Sequence, residues 1–271
     1  MAFPTPIRAF YDTPEGQIHY RYLHASVKDA SKQPIILMHM SACSSLYYIE
    51  MMQLCAAVGY DCYAPDMPGF GDSYNPTYYP SNIRWYVEVF QLLVKHVGLT
   101  KFHVLGHHSG ASIATEMAAV YPDEVLSLCV IGPALLTEEE QVGERIKNIV
   151  AYNEPVMDGS HLQKCWDVLA TSGTWEVEKL HEQTLDAARA WQGRLQIYTC
   201  VFHQPMIEVL SQVKCPVLGL CGLQDVLYPQ FGRVKEIQPT ATCVVVKGED
   251  FEPLKDAEGC SKAMLEFYGK L

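Results

Sequence analysis

The chain has 271 residues, 49% of them hydrophobic and 11% aromatic, which is enough for one domain with a sizeable core. Its formal net charge of -11 opposes a nucleic-acid or anionic-membrane surface, because both require a basic patch that no segment supplies. No stretch reaches about 18 uninterrupted apolar residues, so no membrane span is expected and a small or neutral molecule is the expected partner.

The N-terminal Met1-Ala2-Phe3-Pro4-Thr5-Pro6 lacks the basic-then-apolar order of a secretory leader, which predicts a cytoplasmic location. Residues 7–10 and 17–22 alternate around Asp12-Thr13-Pro14-Glu15-Gly16 and predict a hairpin. Pro34 to Met38 is apolar on both faces, as a buried parallel strand is, and it ends at His39-Met40-Ser41-Ala42. A helix is predicted over 46–59, a short strand over 62–65, and a second helix over 81–98 with Ser81 as its N-cap.

The apolar run Phe102 to Leu105 leads into Gly106-His107-His108-Ser109-Gly110, and a helix-like run from Ala111 to Tyr121 follows. Strand, sharp turn and helix is the shape of the G-x-S-x-G elbow, in which a strained turn presents its central side chain at the top of a sheet. In this register the central residue is His108. Leu126 to Ile131 predicts a further strand. From about Leu135 to Pro205 strand-like runs give way to three or four amphipathic helical stretches, read as a helical lid over a core of residues 1–134 and 206–271. Strands resume at Pro216 to Cys221 and Thr242 to Val246, and a final helix covers about 257–269. Strands alternating with helices predict an α/β fold with a mainly parallel sheet covered on both faces. The ten cysteines are scattered without a C-x-x-C pair, several (Cys62, Cys129, Cys221, Cys243) inside strand-like runs, and read as buried thiols.

Four motifs in this order make the chain resemble the α/β-hydrolase superfamily. They are His39-Met40 after the third strand, Asp66-Met67-Pro68-Gly69-Phe70-Gly71-Asp72-Ser73, the elbow, and Gly222-Leu223-Gln224-Asp225 after the seventh strand. The resemblance covers essentially the whole chain and implies an eight-stranded, mostly parallel sheet with a helical lid. It does not fix the reaction, since one fold hosts esterases, dehalogenases, C–C hydrolases, lyases and ligand receptors. The family pattern has serine at the elbow, an acid after strand seven and histidine after strand eight. Here His108 takes the serine position, Asp225 keeps the acid position, and Asp250 in Gly248-Glu249-Asp250-Phe251 stands where histidine belongs.

This exchange makes a serine acyl-enzyme unavailable in its usual form and points to cofactor-independent proton chemistry. The expected catalytic set is His108 paired with Asp250 and supported by Asp225, a carboxylate raising the imidazole pKa and fixing its tautomer. The expected substrate is a small, largely apolar carbonyl compound such as a polyketide-like or aromatic metabolite. It would be isomerised, cyclised, cleaved at a C–C bond or hydrolysed by activated water. One alternative is an ester, lactone or thioester hydrolase with His108 as the base for water. The other is a catalytically silent ligand-binding protein.

Around the centre, His39, Met40, Ser41, Ser109 and His107 are candidates for the substrate or oxyanion side. Ser109 reads as a small residue of the first helical turn, and His107 and His39 also have structural readings. In the lid, His161 and Trp166 are candidates to face the pocket, the alternative for Asp158-Gly159-Ser160-His161 being a turn and cap. His181, Asp186 and Arg189 read as an exposed charged helix face. No metal and no cofactor are expected, and the protein is expected to be a monomer or homodimer.

Overall fold

The computed structural model describes residues 4–148 and 152–271. The chain opens with a hairpin, β1 (Ile7–Asp12) and β2 (Gln17–Leu23), closed by the Thr13 N–H donating to the Gly16 carbonyl at 2.9 Å. Alternating units follow: β3 (Ile35–Met38), a 3-10 turn over Ser45–Tyr48, α1 (Ile49–Ala57), β4 (Cys62–Pro65), α2 (Ile83–His96), β5 (Phe102–His107), α3 (Ser109–Val120) and β6 (Val125–Ile131). Five helices then interrupt the rhythm: α4 (Glu138–Asn148), α5 (Ser160–Ala170), α6 (Val177–Arg189), α7 (Trp191–Val201) and α8 (Met206–Gln212). The chain ends with β7 (Val217–Gly222), α9 (Tyr228–Phe231), α10 (Arg233–Ile237), β8 (Thr242–Val246), α11 (Glu252–Lys255) and α12 (Ala257–Tyr268).

All eight strands join one sheet in the order β1-β2-β4-β3-β5-β6-β7-β8. β2 runs antiparallel to both β1 and β4, and every later pairing is parallel. This is the architecture the strand and helix order predicts. The central strands are apolar on both faces because helices cover both: Ile35, Ile36, Leu37 and Met38 are wholly buried, as are Phe102, Val104 and Leu105. α1 packs on α12, and α3 packs against β5, β6, α2 and α8.

Local details differ from the sequence expectation in three places. The cap of α2 is Asn82, whose side-chain oxygen accepts from the Trp85 N–H, so Ser81 lies one residue too early. Cys243 is exposed, because β8 is the edge strand and alternates its faces, whereas Cys62, Cys129 and Cys221 are buried. The presumed exposed face of α6 is exposed only at His181. Asp186 and Arg189 turn toward the core, where Ser44 Oγ donates to Asp186 at 2.6 Å and Arg189 donates to the Ser73 carbonyl at 2.8 Å. No helix among the described residues is long and apolar enough to cross a membrane.

Candidate active site

The site begins with the close approach of β5 and α3. A Cβ on Gly106 would lie 2.2 Å from the Gly110 carbonyl oxygen, and one on Gly110 would lie 2.1 Å from the Met38 carbonyl oxygen. Only glycine allows the strand to turn so sharply into the helix. Between them His108 adopts φ 46° and ψ -110°, at positive φ where non-glycine residues are rare, and its N–H is held by the Ile131 carbonyl at 2.9 Å. His108, not Ser109, is therefore the residue at the apex of the elbow.

The imidazole meets the loop after β7, where His108 Nε2 lies 2.9 Å from Asp225 Oδ2. The other Asp225 oxygen accepts from the Leu227 N–H at 2.6 Å, which fixes the carboxylate. Room for the pair comes from Gly132 at the end of β6: a Cβ there would sit 2.4 Å from Asp225 Oδ2 and 2.5 Å from the His108 ring. Burial alone would lower the His108 pKa, but the charge and hydrogen bond of Asp225 outweigh it and push the value up to about 9. Burial would likewise raise Asp225, yet His108 holds it well below the usual carboxylate range. At neutral pH the pair is imidazolium and carboxylate.

The expected pairing with Asp250 is not formed. Asp250 Oδ1 accepts from the Val226 N–H at 2.8 Å, because the loop after β8 binds the loop after β7 and does not reach over the elbow. Burial raises the Asp250 pKa, and its charge adds a minor upward term to that of His108. Both residues line one cavity of about 250 Å³, together with Met40, Ser41, Tyr152, Arg194 and Tyr198. A larger pocket of about 600 Å³ beside Trp175 and Lys255 contains no elbow residue, so the smaller cavity that holds His108 is the candidate.

Met40 and Ser41 thus face the cavity, but the other expected oxyanion residues are spent on structure. His39 is fully buried, its Nδ1 donating to the Met40 carbonyl at 2.8 Å and its Nε2 accepting from the Met67 N–H at 2.9 Å. The Ser41 N–H donates to Ser109 Oγ at 2.8 Å, so Ser109 fastens the loop after β3 to the elbow. Neither His161, which takes the Val156 N–H at 3.3 Å, nor Trp166, which packs against the core from α5, lines the cavity.

His107 lies beneath the site, fully buried, its Nδ1 3.1 Å from the Tyr47 hydroxyl and its Nε2 3.0 Å from Glu252 Oε2. Burial pushes His107 down, and burial with the charge of Asp225 pushes Glu252 far up, so this is a contact between neutral groups with the proton on Glu252. Glu252 Oε1 accepts the Gly222 N–H at 2.8 Å. His107, His108 and Asp225 each bring a ligand atom within 4.8 Å of the others. A cation there would have to break the contacts to Tyr47, Glu252 and Asp225. Glu252, Gly132 and the insertion residues Tyr152 and Arg194 were not singled out in the sequence, and only glycine at the end of a strand offered a signal.

The family pattern described as an alpha/beta hydrolase fold matches residues 33–247. A haloalkane dehalogenase of Psychrobacter cryohalolentis is 23% identical over 184 residues, 66% of this chain and 56% of that protein, so the chain spans just over half of its length. Lipase 1 of Psychrobacter immobilis is 22% identical over 253 residues, 88% of this chain and 77% of the lipase. Among solved structures, a putative lipase from Acinetobacter baumannii superposes with a TM-score of 0.80 at 16% identity, covering 98% of this chain and 92% of the lipase.

Proposed function

Since the chain belongs to the α/β-hydrolase fold family, we propose that it is an enzyme whose reacting centre is the cavity bounded by His108 and Asp250. The observation that carries this reading is an imidazole at the strained apex of the elbow, locked to Asp225 at 2.9 Å and lining a cavity. The centre uses acid–base chemistry on a small carbonyl compound and forms no serine ester, because the apex of the elbow carries an imidazole in place of a hydroxyl and Ser109 Oγ accepts from the Ser41 amide.

With its pKa near 9, His108 is an acid at neutral pH. It donates a hydrogen bond or proton to the carbonyl oxygen as negative charge develops there, while Asp225 balances the imidazolium. Asp250 is the carboxylate left to accept a proton, from water or from carbon beside the carbonyl. The names of the relatives, a dehalogenase and a lipase, favour water as the co-reactant and hence hydrolysis. Isomerisation or C–C cleavage is the second reading, favoured by the absence of a hydroxyl at the apex of the elbow. The helices between β6 and β7 act as the lid that keeps bulk water out.

Turnover of small esters and β-diketones by the wild type and His108→Gln tests the assignment, with solvent oxygen-18 separating hydrolysis from isomerisation. The expected loss in kcat/KM is about 10²–10⁴-fold, the usual contribution of a positioned proton donor. A variant that keeps full activity sinks the proposal. The pH profile separates acid from base: activity falls above about pH 9 if His108 donates and rises toward that pH if it accepts.

A further inference from the structure

The turn that carries Asp225 also exposes two apolar side chains that the acid–base reading leaves unused. Leu223 is 65% exposed and Val226 67%, on either side of the carboxylate in sequence. Val226 lines the cavity of His108, as does Val168 of α5, itself 44% exposed, whereas Leu223 lines the larger pocket beside Trp175. Single exposed apolar residues are ordinary on a protein surface, but several gathered around a cavity mark a contact for an apolar ligand.

The two spaces are neighbours. Three separate segments pass from one to the other: Ser172 lines the cavity and Thr174 the outer pocket, and the same holds for Val226 with Gln224 and for Asp250 with Glu249. On each segment the two linings are one or two residues apart, about 4–7 Å of chain. The wall of the outer pocket is firmly built. Trp175 Nε1 donates to the Leu169 carbonyl at 2.8 Å, and Lys255 Nζ lies 4.2 Å from the Trp175 ring centre.

Size decides between a compact and an elongated ligand. A space of about 250 Å³ is about 8 Å across if round and lies below the roughly 300–1,000 Å³ typical of ligand pockets, so a straight chain of more than about six carbons outgrows it. The adjoining pocket of about 600 Å³ has room for the remainder.

We propose that the substrate is an elongated carbonyl compound: its carbonyl end meets His108, and an unbranched apolar tail leaves the cavity past Val168 and Val226 and crosses Leu223 into the outer pocket. The inference rests on the cavity being the reacting centre, and it adds a tail to the small carbonyl compound assigned there.

Calorimetric titration with 2-pentanone, 2-heptanone, 2-nonanone and 2-undecanone tests it on the intact protein. Affinity is expected to rise by up to about fourfold per buried methylene and to go on rising beyond 2-heptanone, where the chain outgrows the cavity. Leu223 lies outside the hydrophobic core, so Leu223→Asn keeps the fold. That variant binds 2-pentanone as the wild type does and loses at least about fivefold for 2-undecanone. Val58→Asn, which alters an exposed apolar residue lining neither space, leaves the whole series unchanged. His108→Gln keeps the dependence on chain length even though the acid–base reading requires it to lose turnover, so the two readings fail separately. A wild type that binds none of the ketones, or whose affinity stops rising at 2-heptanone, overturns the inference. So does a Leu223→Asn variant that follows the wild type to 2-undecanone, or a Val58→Asn variant that loses as much as Leu223→Asn.

Discussion

At 2.9 Å from His108, Asp225 sets the charge of the imidazole, and pH dependence exposes that control. The His108 pKa lies above its ordinary value of about 6.5, so its stabilising contribution is complete below that pH and is lost as pH rises through about 9. Asp225 is shifted down, so its contribution is present above about pH 4 and is lost at lower pH. The ion pair therefore supports the fold between roughly pH 4 and 9. Asp225→Asn removes the dominant anion and leaves burial opposed only by the smaller influences of Glu252 and Asp250. His108 should then titrate below about 6.5 and be neutral at pH 7, with a stability loss of roughly 3 kcal/mol from the ion pair that no longer forms. NMR titration of the His108 ring measures this, and an unchanged pKa near 9 refutes the pairing. Glu252 behaves in the opposite sense. It ionises at about 4.3 in the unfolded chain but stays protonated in the fold, so stability falls with rising pH until the folded group ionises. Glu252→Gln keeps an acceptor for the Gly222 N–H and adds a permanent donor toward His107. It should gain on the wild type by up to about 1.4 kcal/mol per pH unit between pH 6 and 8. Parallel denaturation curves at the two pH values contradict that account. His108 and Asp225 are legible in the sequence because glycine spacing and motif order place them. Glu252 is not, because in Glu249-Asp250-Phe251-Glu252 it looks like one more solvated acid, and only the turn into α11 buries it.

The strand–turn–helix element is where sequence and packing agree most closely, and the reason is steric. A Cβ at Gly110 would meet the Met38 backbone at 2.1 Å, and a sheet strand has no slack to yield. Gly110→Ala is expected to destabilise by about 3 kcal/mol or more, the upper range for overpacking. Gly143 on α4 has nothing within 4 Å of an added Cβ, so Gly143→Ala should stabilise by up to about 1 kcal/mol through helix propensity alone. Thermal melts of the two variants compare them directly. Equal shifts would remove the claim that backbone approach, and not glycine content, shapes the elbow. The insertion helices illustrate the limit of pattern reading. Periodicity identifies a polar face on α6, but it cannot say whether that face meets water or another layer. Asp186 and Arg189, read as solvated, are the contacts by which α6 binds the core.

Those contacts define how the sheet and the insertion behave as one molecule. Besides Ser44 with Asp186, Gln183 Nε2 donates to the Ala42 carbonyl at 3.2 Å, and Arg189 donates to the Ser73 carbonyl and to Asn75 Oδ1, each at 2.8 Å. All of them join α6 to the loops after β3 and β4. Ala42 and Gln183 also line the cavity, so the insertion is fastened to the core at the site itself. Apolar layers hold the sheet together over several strands, whereas this junction relies heavily on side-chain hydrogen bonds. It is the weaker link, and local opening draws on such links before the core unfolds. Arg189→Ala removes its two bonds at 2.8 Å and a longer third one to the Gly69 carbonyl at 3.4 Å without touching the elbow. Amide exchange in α6 and α7 should then accelerate about tenfold, as expected for roughly 1.4 kcal/mol of lost protection, while amides of β3, β5 and β7 exchange at wild-type rates. Site-resolved hydrogen exchange distinguishes the outcomes. Uniform acceleration across the sheet would mean that insertion and core open together, and a substrate would then need a route into the cavity that leaves α6 in place.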